Sequence, residues 1–197
     1  MDDVRELDRR ALAAAGEVIA AVRPADLDRP TPCTRWSLAR LLEHVVNENH
    51  GYGSSAMGAP AIVSIWYSAK LEPDPHQAYA DSAAWVTYAF AAPGVYDGQF
   101  EVREFGYFPA PVAIGMHFVD VLVHGWDVAA SIGAPYRPDD EMASAALAIA
   151  SGWPRTDQRR REFSRRVAVP TDASDFTRLL GLLGRSPSWR PPDKQHP

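Results

Sequence analysis

One stretch of the sequence, residues 115–129, constrains the fold more than any other. It reads Gly-Met-His-Phe-Val-Asp-Val-Leu-Val-His-Gly-Trp-Asp-Val-Ala, so His117, Asp120, His124 and Asp127 interrupt an otherwise mostly apolar run. A helix with apolar side chains in most directions must be buried in a core. Buried imidazoles and carboxylates must in turn be hydrogen-bonded, paired with an opposite charge or bound to a metal ion.

Helical geometry brings these polar residues towards one face. At about 100° per residue, Asp120 and His124 lie one turn apart and His117 lies a turn earlier. A carboxylate and an imidazole at positions i and i+4 supply two legs of a divalent-metal site. Asp127 follows three residues after His124. There it could hydrogen-bond the distal nitrogen of a ligand histidine, or it could form a structural ion pair.

Hydrophobic periodicity predicts an all-α fold, a bundle of four main helices with a small extended insertion. The expected helices cover residues 4–22, 36–50, 75–91 and 109–131, with a fifth after residue 138 and a short one at 175–183. Alternation within residues 95–108 predicts a strand or short hairpin. The glycine-rich residues 51–60 are expected to be loop or frayed helix. The 197-residue length suits one domain, residues 1–186, and a flexible polar tail, residues 187–197.

The bulk composition narrows the classes of function. A net charge of −5 argues against a general nucleic-acid binder. A single cysteine, Cys33, allows no intrachain disulfide and fits a reducing cytosol. The acidic N-terminus does not resemble a secretory signal, and no apolar run reaches the roughly 18 residues of a membrane span. We therefore expect a cytoplasmic monomer or homodimer that binds neither nucleic acid nor membrane.

A third metal-capable residue comes from the second helix. His44 lies on the flank of its apolar face, with Glu48 one turn further on. Four-helix bundles build metal sites from facing helices. Two histidines and one carboxylate leave positions open for water or substrate, and they suit Zn²⁺, with Fe(II), Ni²⁺ and Mn²⁺ as alternatives. Each residue alone has a simpler interpretation: His44 as a hydrogen-bonded histidine at the core edge, Asp120 as an arginine partner and His117 as a polar wall residue.

Other catalytic patterns are weaker. Cys33 precedes a helix start, where a thiolate is favoured, but the sequence places no base beside it. The aromatic stripe of Trp66, Tyr67, Trp85 and Tyr88 is more typical of a core than of a substrate cradle. No phosphate-binding loop or nucleophile elbow is present in the sequence.

Three segments, in order, resemble a known family. They are Pro30-Thr-Pro-Cys-Thr-Arg-Trp36, Leu41-Leu-Glu-His-Val-Val46 and Asp120-Val-Leu-Val-His-Gly-Trp-Asp-Val-Ala129. Together they are similar to the N-terminal domain of mycothiol-dependent maleylpyruvate isomerase, within the DinB/YfiT-like superfamily of thiol-dependent, metal-binding four-helix bundles. The closing Val167-Ala-Val-Pro-Thr-Asp-Ala and Thr177-Arg-Leu-Leu-Gly-Leu-Leu-Gly-Arg185 also match this subgroup, so the resemblance covers about residues 5–186.

This resemblance implies a DinB-like bundle with extra C-terminal helices and a divalent metal, usually zinc. The metal would be held by a histidine of the second helix and a carboxylate-x3-His pair of a later helix, which correspond to His44, Asp120 and His124. It also implies a low-molecular-weight thiol such as mycothiol, whose pKa the metal lowers so that the thiolate attacks an electrophile. The isomerase carries Glu at the position of Asp120 and contains a second domain, which argues against maleylpyruvate as the substrate.

Three hypotheses follow for the function. The first is a zinc enzyme that uses the thiol for S-transfer to, or isomerisation of, a small electrophile. In it, His117 serves as base or fourth ligand, and Asp127 and Glu48 orient the ligand histidines. The second is a thiol-independent Lewis-acid enzyme of a biosynthetic pathway, and the third is a non-catalytic metal-dependent binding or stress-response protein.

The second hypothesis needs an enclosed aromatic pocket for its carbonyl substrate. The expected lining residues are Trp66, Tyr67 and Phe108.

Overall fold

Helices dominate the computed structural model, which describes residues 3–59, 63–153 and 165–192. Within these ranges the helices are α1 (Val4–Ile19), α2 (Leu38–Ala56), α3 (Pro75–Ala91), α4 (Ala110–Ile132), α5 (Asp140–Ser151) and α6 (Asp175–Leu182). An antiparallel hairpin of β1 (Gln99–Val102) and β2 (Gly106–Pro109) separates α3 from α4. Short 3₁₀ turns occur at Pro24–Asp26, Val63–Trp66, Val95–Asp97 and Arg103–Phe105.

The first four helices form the bundle. Helix α1 packs along α4 and α3, α2 packs between α3 and α4, and the hairpin lies against α2 and α4. Helices α5 and α6 pack on each other, with α5 also touching α4. The expected all-α fold with a small extended insertion is confirmed.

Helix α4 is the central element because almost every side of it is covered. Ile114, Phe118 and Leu122 are fully buried on it. Among the described helices, α4 is long and apolar enough to cross a membrane, but 78% of its most apolar 18-residue window is buried inside the protein. That burial is typical of a core helix.

Helix α2 differs from its expected boundaries at both ends. It begins at Leu38, where the Ser37 hydroxyl accepts a hydrogen bond from the Arg40 backbone N–H, and it continues to Ala56 through a stretch expected to be loop or frayed helix. The glycines there are packing sites rather than helix breakers. A Cβ on Gly51 would lie 2.2 Å from the ring of Trp66, so only glycine lets that indole approach the helix.

The remaining boundaries lie close to expectation. Helix α1 ends three residues early, and the α4 C-terminus is closed by Gly133, whose φ of 74° is in the left-handed region that favours glycine. Of the residues expected to form a flexible tail, 187–192 are described, and 193–197 lie outside the described residues.

Candidate metal centre

The structure brings His44, Asp120 and His124 together where α2 faces α4. Nε2 of His124 lies 3.4 Å from Oδ1 of Asp120, and Nε2 of His44 lies 3.7 Å from Oδ2 of the same carboxylate. The three candidate ligand atoms are all within 4.8 Å of one another. The two imidazoles meet edge to face, with centroids 4.9 Å apart.

The 3.4 and 3.7 Å separations between the imidazole nitrogens and the Asp120 oxygens fit ligands that share one cation. They are long for direct hydrogen bonds, whereas ligand atoms about 2.1 Å from a tetrahedral zinc ion lie roughly 3.4 Å apart. Oδ2 of Asp120 is buried and has no hydrogen-bond partner within the described chain. A buried carboxylate oxygen left this way is costly unless something else satisfies it. The donor set of two nitrogens and one oxygen therefore fits a divalent metal.

The electrostatics of the three groups favour a charged site. Burial opposes ionisation of Asp120, but His124 and His44 outweigh it and hold the pKa of Asp120 well below its usual range. Burial also opposes protonation of His124, but Asp120 and Asp127 raise the pKa of His124 well above its usual range. The negative charge around His124 that attracts a proton would equally attract a metal cation.

Each histidine also meets a second carboxylate through its other ring nitrogen. Nδ1 of His124 lies 2.9 Å from Oδ2 of Asp127, which is fully buried, and Nδ1 of His44 lies 3.5 Å from Oε1 of Glu48. Because Asp127 accepts a hydrogen bond from Nδ1 of His124, it keeps the proton on that nitrogen and leaves Nε2 as the atom for a metal. Both Nε2 atoms face Asp120, so both histidines present the atom that a shared cation would need.

Each of these two carboxylates forms an ion pair with an arginine that lies outside the four bundle helices. Glu48 forms an ion pair with Arg103, which follows β1 in the hairpin connection. Asp127 accepts a 2.9 Å hydrogen bond from Nη2 of Arg185, which follows α6. Burial alone would raise the pKa of Asp127, but Arg185 and His124 hold it below its usual range. Asp127 therefore makes both contacts that the sequence left open, one with a histidine and one with a cation.

Cys33 and Trp36 complete the surroundings of the histidines. Sγ of Cys33 lies 3.3 Å from Oδ2 of Asp127, and Cys33, His124 and Asp127 form a second group with the spacing of metal ligands. The Trp36 ring lies 4.8 Å, centroid to centroid, from the His44 ring. Sequence reasoning gave neither residue a place here, although both belong to the Pro30–Trp36 segment that carries the family resemblance.

The structure does not bring His117 to the other three residues. Its ring is fully buried, with Nδ1 2.7 Å from Oδ1 of Asp8 and Nε2 3.0 Å from Oδ1 of Asn49. His117 shares a helix face with His124, but seven residues separate them by about 10.5 Å along the axis. It therefore lies in a deeper layer of the bundle, with both nitrogens bonded, rather than beside the candidate ligands.

The three expected pocket residues lie around the hairpin and the turn that precedes α3. Trp66 is buried, with the Arg103 guanidinium 5.2 Å from its ring centroid, and Tyr67 raises the pKa of the same arginine. Phe108 is opposite Phe100 in the hairpin register and is half-buried. Trp66 thus connects to the centre through the Arg103–Glu48 ion pair, whereas Tyr67 is 52% exposed and does not line an enclosed pocket.

The fold and this site define a helical-bundle protein with a candidate metal centre between two facing helices. The profile of the family described as the mycothiol maleylpyruvate isomerase N-terminal domain matches residues 9–129, more than half of the chain. The chain belongs to this family. All three candidate ligands lie within the matched region, and Arg185 lies beyond it.

Similar proteins agree with this assignment. An uncharacterised protein of Mycobacterium tuberculosis H37Rv, Rv0738, is 31% identical over 185 residues, covering 90% of this chain and 95% of that protein. A crystal structure of mycothiol-dependent maleylpyruvate isomerase matches with a TM-score of 0.58 and 16% identity, and one of its mutants with 0.62 and 15%. Both matches cover 75% of this chain and 66% of the isomerase chain. They show that the two proteins share a fold.

Proposed function

We propose that this protein is a divalent-metal enzyme, with zinc as the metal, that uses a low-molecular-weight thiol such as mycothiol. The reaction would be S-transfer to, or thiol-assisted isomerisation of, a small electrophilic substrate. One observation carries the proposal: two imidazole Nε2 atoms converge on one carboxylate, in a chain of the maleylpyruvate isomerase N-terminal family. The protein would be a cytoplasmic monomer or homodimer.

His44, Asp120 and His124 would hold the metal, which, when bound, supplies a Lewis acid that favours the thiolate form of the cosubstrate. Three protein ligands leave a further position open in a catalytic zinc site. The remaining work falls to the residues around them. Asp127 keeps the Nδ1 proton of His124 in place and so fixes the orientation of that ring, while Glu48 lies 3.5 Å from Nδ1 of His44.

Trp36 lies against the His44 ring and shields it on that side. His117 has no part in the proposed chemistry because Asp8 and Asn49 occupy its two nitrogens. Proton transfer during the reaction is therefore assigned to the thiol, the substrate and solvent rather than to this histidine.

The first experiment measures metal content per chain in the purified protein and in three variants. We expect about one divalent ion in the wild type and a strong loss in His44→Ala, Asp120→Ala and His124→Ala, because two ligands cannot replace three. His50→Ala is the matched control, since His50 also lies on α2 but belongs to neither group of potential ligands. Wild-type metal content in all three variants would show that the site is misplaced.

The second experiment titrates the zinc-loaded protein with mycothiol by calorimetry and then measures thiol consumption and isomerisation with a panel of small electrophiles. Thiol binding that disappears in His124→Ala supports the proposal. Turnover of a carbonyl substrate without any thiol would instead support the Lewis-acid enzyme. A protein that holds metal but binds no thiol and turns over no substrate would match the non-catalytic binding protein.

A further inference from the structure

Arg185 is a buried cation near the centre, and it comes from a segment that the family match does not reach. Its side chain is 8% exposed although the residue follows the last described helix. Nη2 donates to Oδ2 of Asp127 at 2.9 Å, Nε approaches Oδ1 at 3.4 Å, and Nη1 donates to the Leu183 carbonyl at 2.9 Å. Two contacts to one carboxylate fix its plane as well as its position.

The same guanidinium lies within the second group of potential ligands. Its Nη2 is 3.2 Å from Sγ of Cys33 while it bonds to Asp127, so it contacts two of the three members of the Cys33–His124–Asp127 group. A metal ion bound by these residues would meet the positive charge of Arg185 at short range, which is unfavourable in a buried site. The guanidinium thus takes the place that a cation would have in this group.

His124 belongs to both groups of potential ligands, through different atoms. Its Nε2 faces Asp120 in the first group, and its Nδ1 faces Asp127 in the second. A histidine ring can bind a metal through either nitrogen, and the hydrogen bond at the other nitrogen decides which one is free. The residue that holds Asp127 in place therefore determines which ring nitrogen of His124 is free to bind a metal.

We propose that Arg185 is a positioning residue of the metal centre: it holds Asp127 on Nδ1 of His124, so that Nε2 faces the metal, and it keeps metal out of the Cys33–His124–Asp127 group. This inference rests on the proposed function, because it assumes that His44, Asp120 and His124 hold a metal. If Arg185 has this role, the segment after α6 contributes a residue to the metal centre.

The test compares Arg185→Met, which removes the charge, with Arg185→Lys, which keeps the charge but cannot make the two-point contact. Arg178→Met is the matched control, because Arg178 lies on α6 with a half-exposed side chain that pairs with Asp175. Zinc affinity is measured by competition with a chromogenic chelator. The same proteins are then loaded with Co²⁺ as a spectroscopic substitute for zinc, and circular dichroism checks that each is folded.

We expect Arg185→Met to weaken zinc binding by about 10–100-fold, the range usual for changes in the groups that orient a ligand histidine, because Asp127 loses its two-point contact. We also expect a thiolate-to-cobalt charge-transfer band in Arg185→Met, absent from the wild type, because Cys33 becomes available as a ligand. The band should vanish in Arg185→Met/Cys33→Ser. Arg185→Lys should show weaker zinc binding without the band, and Arg178→Met should match the wild type.

A folded Arg185→Met variant with wild-type zinc affinity and no new band would overturn the inference, while leaving the proposed metal site intact. If Arg185→Met does not fold, Arg185→Lys decides, and wild-type affinity in that variant would also overturn it. A wild-type protein that binds neither Zn²⁺ nor Co²⁺ would instead refute the proposed function, and the inference would fall with it.

Discussion

The buried pair of His117 and Asp8 offers a sharp test of which histidine is structural. It joins α4 to α1 through a 2.7 Å contact, and the other His117 nitrogen meets Asn49, which donates in turn to Ser82 at 2.9 Å. All four side chains are buried. Because each member has a partner, the network should stabilise the fold without serving the metal centre.

Replacing Asp8 with Asn keeps the shape and the acceptor but removes the charge. A hydrogen bond to a charged group contributes about 1.5–3 kcal/mol and a neutral one about 0.5–1.5 kcal/mol, so Asp8→Asn should lower the free energy of unfolding by about 1–2 kcal/mol. In a chain of this length that corresponds to a fall in Tm of about 2–8 °C. Asp8→Ala leaves Nδ1 of His117 unpaired and should cost about 3–5 kcal/mol.

The effect should depend on pH with a definite sign. Burial disfavours the charged imidazole, but Asp8 outweighs burial, so the pKa of His117 is raised in the folded protein. A group with a raised folded pKa contributes its full stabilisation below its unfolded pKa, near 6.5 for histidine. That contribution is lost as the pH rises through the folded value. The difference between wild type and Asp8→Asn should therefore be largest at about pH 6 and should shrink in alkali.

Thermal unfolding followed by circular dichroism in the presence of a chelator measures this without a contribution from bound metal. Glu17→Ala, on the exposed side of α1, serves as the control and should change the Tm little. The metal content of Asp8→Asn, assayed without chelator, should equal that of the wild type. The reasoning is refuted if Asp8→Asn unfolds like the control at every pH, or if it keeps its Tm and loses its metal.

Three further outcomes are expected. Chelation should leave the helical circular dichroism signal largely intact, because a core of this size forms without a metal; cooperative loss of helicity would mean that the ion is structural. Gly51→Ala should lower the free energy of unfolding by about 1–3 kcal/mol, because its Cβ would lie 2.2 Å from Trp66. The control Gly115→Ala, whose Cβ would have its nearest neighbour at 3.4 Å, should be neutral or stabilising. Equal Tm values for the two variants would contradict the packing role of Gly51. Asp120→Glu should retain metal but lose turnover, by up to roughly a hundredfold for a 1 Å displacement; equal turnover of the two proteins would show that ligand reach does not tune the site.

The fold could be predicted from the sequence wherever local pattern and tertiary environment agree. Helix α4 is the clearest example, because a run apolar on nearly every side has no stable place except a core. The C-terminal half of α2 could not be predicted in the same way. Local sequence alone predicts that these glycines break the helix. They remain helical because the side chains of Trp66 and Trp85, from later in the chain, pack against them.

The residues of the candidate site were also predictable from the sequence only in part. His44, Asp120 and His124 could be selected from helical spacing and the family resemblance, since both describe what one helix presents to another. His117 satisfies the same angular rule, but the position along the helix axis places it in another layer. Arg103 and Arg185 could not be found this way because irregular segments bring them to the site from far along the chain.

The two arginines give the centre a repeated construction. Each candidate ligand histidine faces Asp120 with Nε2 and a second carboxylate with Nδ1, and each second carboxylate is paired with an arginine from outside the bundle helices. The ligands themselves are fixed by rigid helices, whereas the groups that orient them depend on the hairpin and on the segment after α6. A change in either segment could therefore alter metal affinity or ring orientation without altering a ligand. If this construction governs the site, single changes at Arg103 and Arg185 should each weaken metal binding, because each arginine holds the carboxylate beside one ligand histidine. Wild-type metal affinity in either single variant would show that the arginine replaced there does not act on the metal.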